Sequence, residues 1–131
     1  MAIERFEDIQ GWQEARKLAV LIYRMTAGEQ FARYFGLRDQ IQRASVSIMV
    51  YIAEGFGRNS NRYFVRFLNI AKGSAYEVQS HLYVALDLEY ITKDQFDVAY
   101  GQCQTAARLI GGFAKYLSEH AGPPKPETGN R

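Results

Sequence analysis

Apolar residues recur every three or four positions along most of this chain, the spacing of one helix face rather than the alternation of a strand. Four segments carry the pattern. The first runs from about Asp8 to Thr26, with Trp12, Ala15, Ala19, Ile22 and Met25 on one stripe. Glu7 or Asp8 sits where the positive end of a helix favours an acid. The second runs from about Leu37 to Glu54, with Leu37, Ile41, Ala44, Ile48 and Ile52 in line, and Gly55 stands where a left-handed C-cap is expected. The third opens after Ser60, a good N-cap, and carries Phe64, Phe67, Ala71, Ala75, Val78, Leu82 and Leu86. The fourth opens after Thr92, with Gln95 three residues on in a capping-box pattern. Its stripe is Phe96, Ala99, Cys103, Ala106, Ile110, Phe113 and Leu117.

Short connections at Gly55–Ser60 and Leu88–Thr92 make neighbouring helices antiparallel. The pattern therefore predicts an all-α fold, an antiparallel up-down-up-down four-helix bundle over residues 1–120. The segment 121–131, AGPPKPETGNR, carries three prolines and is expected to be a disordered tail. Gly73, Gly101, Gly111 and Gly112 fall inside helical patterns, where each costs about 1 kcal/mol against alanine. They mark close helix approach or, at Gly111-Gly112, a break in the fourth helix.

The second helix carries a further apolar stripe: Val46, Met49, Val50 and Ala53, with Tyr51 adding to it. A helix at the rim of a small bundle needs only one buried face. The stripe is either a wide core face or a subunit contact, and exposed apolar patches of that extent are uncommon on monomers. Nine tyrosines lean the same way, because tyrosine is enriched at interfaces. Val46, Met49, Val50 and Tyr51 are thus the expected oligomer interface.

At 131 residues, with 47% apolar and 23% charged side chains, the chain is one globular domain and not a disordered protein. A net charge of +2 says little, but its distribution says more. From Arg33 to Lys72 seven basic residues face Asp39 and Glu54; from Gly73 to Gln102 Lys93 faces Glu77, Asp87, Glu89, Asp94 and Asp97. A basic region beside an acidic one means a patch for a polyanion, or two surfaces that pair between subunits. Cys103 is the lone cysteine, so no intrachain disulfide is possible, and a reducing cytoplasmic compartment fits. The opening MAIERFEDIQGWQ is no secretory signal. No apolar run exceeds that from Ile48 to Ala53, far short of the ~20 residues of a membrane span.

Catalytic chemistry finds no constellation. His81 lies one turn after Glu77, a helix-pair spacing, and no further ligands stand near enough in sequence for a metal site. Cys103 sits on the apolar stripe of its helix, as a buried inert thiol does. Ser45 and Ser74 have no evident base. No metal, no cofactor and no catalytic residue are expected. Gly55-Phe56-Gly57 resembles the start of a nucleotide loop, but it joins two helices and lacks a third glycine. A weaker phosphate reading survives at the start of the third helix, where Arg58, Asn59, Ser60 and Arg62 accompany free backbone N–H groups. Arg58, Arg62 and Arg66 share a face if that helix reaches back to Arg58, and Tyr63 borders them. Such side chains follow phosphates and stack on unpaired bases. A solvated face, or ion pairs with the acidic segment, is the plainer alternative.

The runs FEDIQGWQEARKLAV, YFGLRDQIQRASVSI, IAEGFGR and RFLNIAKGSAYEVQSHL resemble the small four-helix-bundle proteins encoded in intervening sequences of bacterial 23S rRNA genes. The likeness spans about Phe6 to Leu117. It implies a homopentameric ring and no enzymatic activity. It also implies kinship with accessory variability proteins of diversity-generating retroelements, which bind nucleic acid and work with a reverse transcriptase. The expected partners are thus further copies of the chain, RNA or single-stranded DNA, with RNA favoured, and a reverse transcriptase. The family pattern Ile-Pro-Ser-Asn-Ile-Ala-Glu-Gly reads here Ile48-Met49-Val50-Tyr51-Ile52-Ala53-Glu54-Gly55. The change removes a proline kink and two polar side chains, and makes this face more apolar.

Overall fold

Five α-helices follow one another in a computed structural model that describes residues 3–120, and no strand occurs among the described residues. They are α1 (Gln10–Thr26), α2 (Glu29–Ala32), α3 (Phe35–Phe56), α4 (Asn61–Asp87) and α5 (Lys93–His120). A 3-10 turn, Phe6–Asp8, precedes α1. The expectation of four helices is one short. The one-turn α2 stands between α1 and α3, with Phe31 buried on it. The four long helices fall where the apolar spacing put them. The expected tail, 121–131, lies outside the described residues.

Each long helix packs on two others. α1 and α4 both lie against α3 and α5, whereas the pairs α1/α4 and α3/α5 make no close approach. Contacts run in opposite order along each neighbouring pair. A Cβ on Gly55 would meet Phe67, and Ser47 Oγ donates to Ser74 Oγ at 2.9 Å, so α3 and α4 are antiparallel. Tyr83 meets Phe96, the Cys103 thiol reaches the Ala75 carbonyl at 3.1 Å, and Phe64 meets Phe113, so α4 and α5 are too. Between α1 and α5, Gln102 donates to the backbone oxygen and the carboxylate of Glu14, both at 2.9 Å. Lys17 adds an ion pair to the same carboxylate. These two donors, Gln102 first, hold Glu14 below the usual carboxylate range.

The core is the set of stripes the sequence spelled out. Ile41, Ile48, Ile52, Leu68, Val78, Leu82 and Ile110 are sealed from solvent. Full burial stabilises each by about 1.5–3 kcal/mol relative to exposure. The register differs at three places: Phe67 is half-buried toward α3 where Leu68 takes the central place, Ala85 is sealed where Leu86 was expected, and Ala114 is buried where Phe113 was expected.

The glycines behave differently from their expectation. Gly55 is not a left-handed cap. It lies inside α3, where an added Cβ would fall 2.7 Å from Phe67 Cβ, so its missing side chain lets α3 and α4 approach. Gly11 plays the same part on α1, against Ile110 at 3.0 Å. By contrast Gly73, Gly101 and Gly112 have open space where a Cβ would stand. Gly111 and Gly112 do not break α5, which continues to His120. α1 opens two residues later than expected, with Ile9 rather than an acid as its N-cap residue.

Candidate nucleic-acid interface

α4 begins at Asn61 because Ser60 is extended and caps it. Ser60 Oγ accepts from the Tyr63 N–H at 3.4 Å, and the Ser60 carbonyl accepts from Phe64 N–H at 2.8 Å. Residues Gly57 to Ser60 turn the chain, with Asn59 in the left-handed region at φ 55°. Asparagine tolerates that region better than most residues. The first two turns of α4 place Arg62, Tyr63 and Arg66 at the surface. Arg62 and Arg66 are four residues apart and so share the outward face, one above the other. Arg62 is also held by an interaction within the chain.

Arg58 does not join them on that face. The helix does not reach back to it, and its guanidinium lies 4.9 Å from the centre of the Phe67 ring. Phe67 follows Arg66 by one residue, about 100° round the helix. The three arginines therefore form a bent edge: two on the outer face of α4, the third folded toward the α3–α4 seam. The stack holds the Arg58 side chain while leaving the residue exposed, which suits a planar cation that contacts an anion.

The proposed interface residues of α3 are divided. Val50 is exposed, Val46 is half-buried, and Met49 and Tyr51 pack against the core, Tyr51 with its ring 6.2 Å from that of Phe67. The stripe is thus partly a wide core face, with Val50 as its outward member.

The remaining candidates are quiet. Burial pushes the Cys103 thiol up to about 12. His81 Nε2 is enclosed, with the Glu77 carboxylate at 3.6 Å. Among the described residues no three His, Cys, Asp or Glu side chains gather as a metal would need. No described helix is long and apolar enough to cross a membrane.

The sequence reading missed two features. One is the ring cluster of Tyr83, Phe96 and Tyr100 where α4 meets α5, with centroids 5.0–5.6 Å apart. The other is a groove along the outside of α1 that holds Arg16, Lys17 and Arg24. Its signal was present, since Lys17 and Arg24 fall on the side of the first helix away from its apolar stripe and Arg16 follows Trp12 by one turn, over its ring.

A family model described as 23S rRNA-intervening sequence protein matches residues 7–112 of this chain. The chain belongs to that family. The matched span runs from the 3-10 turn to Gly112 of α5 and contains the whole α3–α4 turn and its arginines. A crystal structure of a protein of unknown function from the S23 ribosomal protein family of Bacteroides thetaiotaomicron is similar, with a TM-score of 0.74 and 28% identity. The likeness covers 80% of this chain and 98% of that one. No curated protein matches.

Proposed function

We propose that this member of the 23S rRNA-intervening sequence protein family is a non-enzymatic, cytoplasmic accessory protein that binds nucleic acid, with RNA favoured. The four long helices serve as a four-helix-bundle unit, and copies assemble into a homopentameric ring. The observation that carries the binding reading is the bent basic edge: Arg62 and Arg66 on the outer face of α4, Tyr63 beside them, and Arg58 braced on Phe67. Guanidinium groups take phosphate oxygens in forked pairs, and an exposed ring beside them gives an unpaired base something to stack on. Repetition round a ring lets weak sites act together. The buried Cys103 thiol, pushed up by burial, is no nucleophile, which fits the non-enzymatic part.

A gel shift with structured RNA and single-stranded DNA at two salt concentrations tests this. Binding should weaken steeply as salt rises and show little sequence preference. Arg62→Ala with Arg66→Ala should lower the salt slope by about 0.7 per lost phosphate contact on a single strand, with helix content unchanged. A double variant that stays assembled and binds as wild type does removes these two positions from the site. Loss of assembly with affinity per copy preserved points instead to a protein-interaction module, the reading that the exposed Val50 favours.

A further inference from the structure

A closed ring with an odd number of copies cannot be made from one self-complementary patch. Each copy must offer two different surfaces, one to each neighbour. Two surfaces of opposite character are present on this chain. The first is the groove of about 650 Å³ along α1 beside Gln102 of α5, where Trp12, Val20 and Leu21 accompany Arg16, Lys17 and Arg24; Lys17 is paired with Glu14, which leaves Arg16 and Arg24 as the cations without a carboxylate in the lining. Val20, in its lining, is 45% exposed. The second is the edge where α4 ends and α5 begins. There Tyr83, half exposed, leans on Phe96 and Tyr100. On the same ends of α4 and α5 lie the exposed Asp87, Asp94 and Asp97, and Lys93, which pairs with Asp97 and lies over Phe96.

One surface is thus apolar with cations, and the other aromatic with anions. Carboxylates and the faces of tyrosine rings both attract guanidinium groups. The two surfaces face different ways within one copy: on α5 the groove takes Gln102 and the edge takes Tyr100, two residues and so about 200° apart round the helix. We infer that the α1 groove of one copy receives the α4–α5 edge of the next, with Arg16 and Arg24 set against Asp87, Asp97 and the rings beside them. The contact is head-to-tail. This deepens the ring reading and rests on it. It also gives the acidic segment a partner that the nucleic-acid site does not supply.

The test uses the full chain and two variants at exposed positions. Native mass spectrometry of the wild type at micromolar concentration should show an assembly several times the 15.0 kDa chain. Arg16→Glu with Arg24→Glu, and separately Asp87→Lys with Asp97→Lys, should each weaken association by more than about a hundredfold, since like charges then face each other. Circular dichroism should show the helices of both intact. Combining both sets of changes in one chain should restore assembly, because every groove then carries glutamates and every edge lysines, so the reversed charges complement each other at each contact. If both variants assemble as the wild type does while Val50→Glu does not, the contact lies on α3 and this proposal is overturned with the ring intact. Disassembly that the combined variant does not repair overturns it as well. A wild type found only as a monomer removes the ring reading together with this contact.

Discussion

The two tight connections on either side of α4 do the same mechanical work with opposite chemistry. Both reverse the chain within a few residues, and both need one residue in the left-handed region, Asn59 in the first and Glu89 in the second. The α3–α4 turn is basic and loosely capped, its one side-chain cap bond a long 3.4 Å. It depends on Gly55 to let Phe67 close in. The α4–α5 turn is acidic and tightly tied. Tyr90 N–H reaches back to the Ala85 carbonyl at 2.8 Å and Glu89 N–H to that of Leu86 at 3.0 Å, the two bonds of a Schellman end. Thr92 and Gln95 then exchange cap bonds of 3.1 and 2.8 Å. Both turns carry backbone bonds, in the first from Gly57 N–H to the Ala53 carbonyl and from Arg58 N–H to that of Gly55, each at 3.2 Å, but only the second adds a reciprocal side-chain cap. The first turn leaves Arg58 and Asn59 at the surface, which is where a binding edge is useful.

Breaking the packing should have the largest effect. Gly55→Ala would place a methyl group 2.7 Å from Phe67 Cβ, an atom that cannot swing aside. Urea unfolding should show a loss of about 2 kcal/mol, despite the better helix propensity of alanine. Gly101→Ala, with open space around it, should instead gain up to about 1 kcal/mol.

Next come the caps. Thr92→Ala should cost about 1 kcal/mol by removing one half of a reciprocal pair, while Ser60→Ala should cost less than half as much, because its bond is already long. Equal losses in thermal unfolding would contradict the contrast between the turns.

The smallest effect separates the two left-handed residues. Glu89, at φ 61°, is the costlier occupant, so Glu89→Gly should stabilise by about 0.5 kcal/mol. Asn59→Gly should change little, since asparagine already tolerates φ 55° and glycine adds unfolded-state entropy. Hydrogen exchange at Tyr90 N–H should slow in the first variant, because that amide closes the Schellman end.

What the chain determined by itself was the part encoded in local spacing. The helical period located all four long helices and their buried stripes, and the Thr92-Gln95 pair marked the start of α5 three residues apart in sequence. Family membership was legible too, through the motifs around Trp12 and Gly55. Tertiary structure decided whatever depends on a second helix. It made Gly55 a contact point rather than a cap, since only the position of Phe67 sets the room for a Cβ. It turned Arg58 away from Arg62 and Arg66, because the first α4 residue is Asn61 and the Phe67 ring offers a face to the guanidinium. It inserted α2, whose four residues are too few to show a period and whose Phe31 is sealed by long-range packing. Tyr83, Phe96 and Tyr100 came together for the same reason: they lie on two antiparallel helices, and their distance is set by the packing of α4 on α5 rather than by their separation along the chain.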